Sequence, residues 1–326
     1  MRGRTVVVTG AAGFIGSHLV EKLLEAESNV RAFIRYNSAN NRGFIDSIPA
    51  QQRHEIDIVK GDLRDEHAVR RAVKGADFVF HLGASIAIPY SYQCPTDVIQ
   101  TNVLGTLHVA QAALDFDSRF IHTSTSETYG TARYVPMNES HPLQAQSPYA
   151  ASKIAADKII ESFYSSYNFP AVTIRPFNAY GPRQSMRAVI PTIINQALHE
   201  SEIVLGNLNA TRDFTFVEDT AEAFMLAAGA DGRFGQTYNA GSGFEISIGD
   251  LALKIRELIG RDIPIRIADD RLRPVKSEVD RLFSDSGKAA QELGWTPSVP
   301  LETGLKRTIE WASQNKRLYR TDEYVV

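Results

Sequence analysis

Short β-branched runs alternate with helical stretches through the first 175 residues, and no other feature constrains the fold as much. Residues 5–8 form such a run and end in Thr9-Gly10. Similar runs stand at residues 30–34, 54–59, 76–81, 118–123 and 171–175. Between them, residues 14–25 place Ile15, Leu19, Leu23 and Leu24 on one side of a helix, and residues 95–114 and 149–167 read as longer helices. Strands separated by helices pair in parallel, because each crossover helix carries the chain back to the end of the sheet where it started. Right-handed crossovers then wind the sheet in both directions from its first strand. The expected fold is α/β, a doubly wound parallel sheet of the Rossmann type over residues 1–175.

The pattern changes after residue 175. A helix at 188–199 is followed by strands near 203 and at 213–217, and by a helix at 217–228. A further strand, a helix at 247–259, a strand at 263–268 and helical ends at 289–293 and 301–314 complete the chain. Residues 176–326 therefore read mainly as a smaller α/β substrate-binding lobe, interleaved with the first domain. Residues 37–43 are polar and read as a loop, and residues 318–326 are expected to be mobile.

The formal charge of −3 lacks the basic excess of a dedicated nucleic-acid binder, so no nucleic acid is expected as partner. Anionic ligands must be held by local Arg side chains and backbone N–H groups. The single cysteine, Cys94, cannot form an intramolecular disulfide and reads as a packing or surface residue. No apolar run approaches the ~18 residues of a membrane span, and no signal segment is recognisable, so a cytoplasmic protein without membrane attachment is expected. No metal site is expected.

Thr9-Gly10-Ala11-Ala12-Gly13-Phe14-Ile15-Gly16 lies between the first strand and the first helix. Its spacing is GxxGxxG. Glycines allow the tight turn and the close approach of a pyrophosphate, and the helix N-terminus adds free N–H groups. Gly10, Gly13, Phe14, Ile15 and Gly16 are thus candidate contacts of a dinucleotide. The second strand ends Phe33-Ile34-Arg35-Tyr36, with no acid to receive a ribose 2′-hydroxyl. Arg35 there can pair with a 2′-phosphate, which favours NADP, with NAD as the alternative. Asp62 and Leu63 follow the third strand on the adenine side. Leu82 and Ala84 follow the fourth on the nicotinamide side.

Tyr149-Ala150-Ala151-Ser152-Lys153 puts Tyr149 and Lys153 on one helical face. An ammonium beside a phenol lowers its pKa, which would let Tyr149 act as a base. Thr125 follows the fifth strand, where its hydroxyl can hold a substrate oxygen.

With these motifs the chain resembles the extended short-chain dehydrogenases/reductases that act on nucleotide sugars, the NAD-dependent epimerase/dehydratase family. Residues 9–16, 61–63, 81–84, 101–106, 124–130, 149–153, 175–182 and 212–219 carry the resemblance over almost the whole length. It implies that Thr125, Tyr149 and Lys153 form the catalytic set and that Lys153 also contacts the nicotinamide ribose. It implies a support role for Asn102, and a homodimer built from helices 95–114 and 149–167.

Within that family, Thr125-Ser126-Glu127 sets the expected reaction. An epimerase only removes and returns hydride at C4. A 4,6-dehydratase must also take the C5 proton and expel the C6 hydroxyl, and Glu127 is a suitable acid/base; its plain alternative is a cap or ion pair at the strand end. Many dTDP-glucose 4,6-dehydratases carry Asp-Glu at these two positions. Ser126-Glu127 resembles GDP-mannose 4,6-dehydratases and UDP-glucuronate decarboxylases instead. Residues 86–92, 175–192 and 271–279 look most like the N-acetylglucosamine-nucleotide 4,6-dehydratases of legionaminic acid biosynthesis. That likeness implies a nucleotide-diphosphate sugar as substrate, with Ser126 and Asn178 beside it and Arg212 and Arg273 on its diphosphate. Arg183 and Arg187 are weighed evenly between substrate contact and surface ion pair. UDP-glucuronate decarboxylase and C4 epimerase remain the alternative activities.

Overall fold

The computed structural model describes residues 1–272 and 274–316. In chain order the first part runs β1 (Thr5–Thr9), α1 (Phe14–Glu25), β2 (Asn29–Arg35), α2 (Ala50–Arg53), β3 (Asp57–Gly61), α3 (Glu66–Val73), β4 (Phe78–His81), α4 (Ile88–Gln93), α5 (Pro95–Ile99), α6 (Gly105–Asp115), β5 (Arg119–Thr123), α7 (Pro148–Tyr167) and β6 (Ala171–Pro176). The second part runs β7 (Asn178–Tyr180), α8 (Val189–His199), β8 (Ile203–Leu205), β9 (Thr211–Phe216), α9 (Val217–Ala228), β10 (Thr237–Ala240), β11 (Glu245–Ser247), α10 (Ile248–Ile259), β12 (Ile265–Ile267), α11 (Gly287–Leu293) and α12 (Leu301–Gln314).

Seven strands form one parallel sheet in the order β10-β6-β5-β4-β1-β2-β3. This is the doubly wound Rossmann-type arrangement. Alternation along β1 explains its two covered faces. Val6 and Val8 join one core with Leu19, Leu23, Phe224 and Trp295, whereas Val7 joins the other with Phe120, Val109 and Phe169. The strand order reverses between β1 and β4, where a crevice opens at the C-terminal strand ends.

A separate core holds the smaller lobe together around Ile190, Ile194, Phe214, Leu251, Ile255 and Leu305. Its sheets are short: β11-β9-β7 and β12-β8. The chain is not cut cleanly at residue 175. Strand β10 pairs with β6, and α9 packs on α1. Residues far past the midpoint thus complete the main sheet.

Some elements differ from their sequence-based bounds. The helix expected over 95–114 is broken, with a π-helical turn at Gln100–Leu104 between α5 and α6. That wider turn carries Asn102, whose side chain bonds groups on two other segments, described below. The strand expected at 54–59 begins only at Asp57, because His54 still closes the turn of α2. The strand expected at 263–268 shrinks to Ile265–Ile267, the length its partner β8 can pair.

Candidate active site

The crevice between β1 and β4 holds a cavity of about 440 Å³. Gly10, Arg35, Asp62, Leu63, Ala84 and Arg187 are among its lining residues. Gly10 has φ +69°, and a Cβ there would lie 2.8 Å from the Gly83 nitrogen. A Cβ on Gly16 would lie 2.2 Å from the Gly10 carbonyl oxygen. Gly13 is the N-cap of α1 and offers no side chain to the first N–H groups, which leaves them for an anion. Phe14 and Ile15 open the helix, and Ile15 packs against the sheet core. A turn with such close backbone approaches and an uncapped helix start fits a pyrophosphate. Gly16→Ala is therefore expected to force the turn apart, costing about 1–3 kcal/mol and weakening dinucleotide binding measured by titration.

Other residues at the cavity have defined partners. Arg64 grips the Asp62 carboxylate through Nε at 2.9 Å and Nη2 at 2.6 Å. The Arg64 hydrogen bond holds Asp62 below the usual carboxylate range against the opposing effect of burial. Arg64 also reaches Asp97 at 2.9 Å. Leu63 is buried under Gly83 and Gly105, where any added Cβ would come within 2.9 Å of it. Leu82 donates its N–H to the Thr9 carbonyl. Arg35 is exposed on the cavity wall.

The second half of the site stands at the end of β5. Thr125 caps a short 3-10 turn, Ser126–Tyr129, and its Oγ1 accepts from the Glu127 N–H at 3.3 Å. Helix α7 starts sharply because Ser147 Oγ accepts from the Ala150 N–H and Pro148 occupies the first turn. Its buried face carries Tyr149, Lys153 and Asp157, one helical turn apart. The Thr125 side chain stands close enough to the Tyr149 hydroxyl to pull its pKa down. Lys153 donates to the Thr123 carbonyl at 2.6 Å. Thr125, Tyr149 and Lys153 are thus brought together. Ser126 is buried and Glu127 half-buried at their edge, and the Glu127 carboxylate has no hydrogen bond or ion pair among the described residues.

The electrostatics differ from the simple expectation that Lys153 lowers the Tyr149 pKa. Burial pushes the Tyr149 hydroxyl well above its ordinary value; the hydrogen bond from Thr125 pulls down, and the nearby Glu127 and Asp157 charges push further up. Burial also pulls Lys153 down to about 8, with Asp157 acting in the opposite direction.

Asp157 is the hub of a buried network that residue spacing did not single out. It accepts from Ser124 Oγ at 2.6 Å and Arg175 Nη2 at 2.8 Å, and sits 3.0 Å from His122 Nε2. Arg175 continues to the Tyr129 hydroxyl at 2.7 Å, which donates to Asn239 at 2.8 Å. The hydrogen bond from His122 and the positive charge of Arg175 hold the Asp157 carboxyl far below its ordinary range despite burial. The available signal was its position four residues after Lys153, on the same helical face as Tyr149 and Lys153.

The expected substrate-side residues are more dispersed. Asn178 opens β7, and its Oδ1 is buried without a hydrogen bond. Arg212 on β9 is buried and donates to the Thr211 carbonyl at 2.9 Å and to Glu278 at 3.3 Å. Arg183, weighed between substrate contact and ion pair, is buried and forks onto Glu21 at 2.6 and 2.8 Å. Arg273 lies outside the described residues, as do residues 318–326. The stretches at 86–92 and 271–279 do meet, through Tyr92 Oη and Ser277 Oγ at 2.6 Å. Cys94 is half-buried between α4 and α5. Among the described residues no helix is long and apolar enough to cross a membrane, and no group of His, Cys, Asp or Glu is placed to hold a metal ion.

A family model described as GDP-mannose 4,6 dehydratase matches residues 7–308. The chain belongs to that family. Among its relatives, the dTDP-D-glucose 4,6-dehydratase of Mus musculus is 31% identical over 337 residues, 98% of this chain and 92% of that protein. DesIV, the dTDP-glucose 4,6-dehydratase of Streptomyces venezuelae solved with NAD bound, superposes with a TM-score of 0.88 at 31% identity, covering 97% of this chain and 98% of that one. The UDP-N-acetylglucosamine 4-epimerase of Methanobrevibacter ruminantium M1, solved with UDP-N-acetylmuramic acid, gives 0.87 at 30% identity, covering 96% and 99%. This member of the GDP-mannose 4,6-dehydratase family is therefore similar to nucleotide-sugar dehydratases and 4-epimerases alike.

Proposed function

We propose that this family member is a nucleotide-sugar 4,6-dehydratase that acts on a UDP- or GDP-N-acetylglucosamine-like substrate and releases a 4-keto-6-deoxy sugar. Glu127 carries the reading. Its carboxylate stands beside the Thr125–Tyr149 pair and has no internal partner among the described residues. A cap or structural ion pair would leave it bonded. A base waiting for a C5 proton would be left free, and an epimerase has no use for one there.

A nicotinamide dinucleotide in the cavity supplies a reversible store for the hydride that leaves C4 and returns to C6. The protein's own groups do the rest. Tyr149 takes the C4-hydroxyl proton while Thr125 holds the oxygen. Burial raises the Tyr149 pKa, and a cationic nicotinamide ring beside the phenol would lower it. Lys153 would contact the nicotinamide ribose and place its positive charge near the Tyr149 hydroxyl. Glu127 then removes the C5 proton, which the new ketone makes acidic, and the C6 hydroxyl leaves as water. Ser126 provides no carboxylic acid, so Glu127 or a water protonates the leaving hydroxyl; as hydride returns to C6 a proton is added at C5, which balances the one that Tyr149 took. The charged form of Lys153 is lost as pH rises through about 8. Turnover is accordingly expected to fall along that limb, which a rate profile from pH 6 to 10 measures.

We assign NAD as cofactor in place of the NADP that Arg35 suggested, because DesIV holds NAD and is similar over nearly its whole length. The ratio of the two dissociation constants tests this. The lobe centred on residues 176–316 takes the sugar nucleotide. Exposed Ile99, Leu104, Tyr164 and Tyr167 on or beside α5–α7 support pairing of two copies there, which sedimentation measures. The second activity to weigh is C4 epimerisation, because the Methanobrevibacter epimerase superposes almost as well as DesIV. Mass spectrometry of products from UDP-GlcNAc, GDP-GlcNAc, GDP-mannose and UDP-glucuronate separates the readings. Loss of water supports the dehydratase, loss of CO2 a decarboxylase, and an isobaric product an epimerase.

A further inference from the structure

Beneath the cavity runs a line of hydrogen bonds that the proposed chemistry does not use. His81, at the end of β4, is 1% exposed. Its Nδ1 lies 2.9 Å from Thr9 Oγ1 and its Nε2 lies 3.0 Å from Thr106 Oγ1. The neighbours decide which nitrogen carries the proton. Thr106 spends its hydroxyl hydrogen on the Asn102 carbonyl at 2.6 Å. It can therefore only accept from His81, so Nε2 carries hydrogen. Thr9 Oγ1 already accepts from the Gly83 N–H at 3.0 Å. Its own hydrogen then has one acceptor in reach, a bare Nδ1. Protonating Nδ1 would leave the Thr9 hydrogen without a partner in a buried place.

Both ends of the line matter. Gly83 is the wall residue that a Cβ on Gly10 would strike. At the other end, Asn102 Nδ2 donates to the Ser85 carbonyl and to Ser152 Oγ, both at 2.9 Å. Ser152 Oγ in turn donates to the Tyr149 carbonyl at 2.7 Å. Each hydroxyl is used once as donor and once as acceptor, so the line has a single direction on each side of the imidazole.

We propose that His81 is a positioning residue, fixed as its Nε2–H tautomer, that holds Thr9 at the floor of the dinucleotide cavity with one nitrogen and, with the other, holds Thr106 and the Asn102 turn against the helix carrying Tyr149 and Lys153. Burial, with His122 and Lys153 nearby, keeps the ring neutral by pushing its pKa well below the ordinary value. The inference rests on the reading of the cavity as a dinucleotide site, but not on dehydration.

The test has one readout that needs no sugar substrate. In holoenzyme labelled with 15N-histidine, His81 should show the Nε2–H tautomer at pH 7, with its signals assigned by their absence in His81→Asn. If that variant does not fold, the shifts caused by Thr9→Val and Thr106→Val assign them. The same two substitutions, which keep side-chain volume, split the line. Thr9→Val should weaken dinucleotide binding about tenfold, the equivalent of one hydrogen bond, with kcat at saturating cofactor unchanged. Thr106→Val should lower kcat by a similar factor and leave dinucleotide affinity unchanged. A purely structural role would move both quantities together in both variants. An Nδ1–H or doubly protonated His81 at pH 7, or equal effects of the two substitutions on both quantities, overturns the proposal. Failure of every nucleotide sugar in the product panel leaves the tautomer and affinity readouts intact.

Discussion

Glu127→Gln is expected to lower release of the dehydrated product by about 100- to 10,000-fold, the usual range for losing a positioned acid/base. Gln keeps the size of the side chain and the backbone N–H that Thr125 Oγ1 accepts. What it loses is the ability to take a proton. In the proposed mechanism oxidation at C4 depends on Tyr149, Thr125 and Lys153, and should continue in the variant. Reduced cofactor should therefore build up, visible near 340 nm, while no water is lost. If the enzyme is a C4 epimerase, the same substitution should change turnover by less than about threefold, well under the range for a lost acid/base. The substitution thus divides the two readings that the comparisons leave side by side.

Asp157→Asn should be the most damaging single change to stability, by about 3–5 kcal/mol, because it leaves a buried guanidinium without its counter-charge. Arg175 is 4% exposed and has no other carboxylate within hydrogen-bond reach among the described residues. The urea midpoint should fall with little change in slope. Joint replacement by Asp157→Leu and Arg175→Met should recover part of the loss, since removing both charges also removes the cost of burying them. The pH dependence has a definite sign. The folded carboxyl is held far below its reference value of 3.8, so its contribution is present above that value and fades as pH falls toward the folded pKa. The gap between wild type and variant should therefore narrow in acid. Asp157 is also the charge that pulls Lys153 upward. In Asp157→Asn the alkaline limb of the rate profile should move below about 8.

Much of the layout is legible along the chain. The helices Phe14–Glu25, Val217–Ala228 and Leu301–Gln314 begin and end where the apolar stripe and its flanking residues place them. Such elements are long enough for periodicity to show. Strands β7 and β11 span three residues each, too few for a period of two to stand out. The break at Gln100–Leu104 had no local breaker to announce it, since no proline or glycine lies inside the turn. Its cause is the set of partners that Asn102 finds on Ser85 and Ser152.

The candidate site divides in the same way. Gly10, Gly13 and Gly16 belong to one turn, and Tyr149 and Lys153 to one helical face, so their spacing already carries their geometry. Local order is enough for them because the relevant distances are set by a few backbone dihedrals. The pairing of Arg183 with Glu21, of Arg212 with Glu278, and of Asp157 with His122, Ser124 and Arg175 joins residues that are 162, 66, 35, 33 and 18 positions apart. An Arg or Asp has the same letter in the chain whether it ends up against a carboxylate, a ligand or water. Only packing settles which, because burial fixes the dielectric around the charge and brings its partner from a distant segment. That is why the alternation of strands and helices with the glycine turn foretold the cavity between β1 and β4, while the direction in which Tyr149 and Lys153 titrate, and the freedom of Glu127, emerged only once the sheet was closed around them.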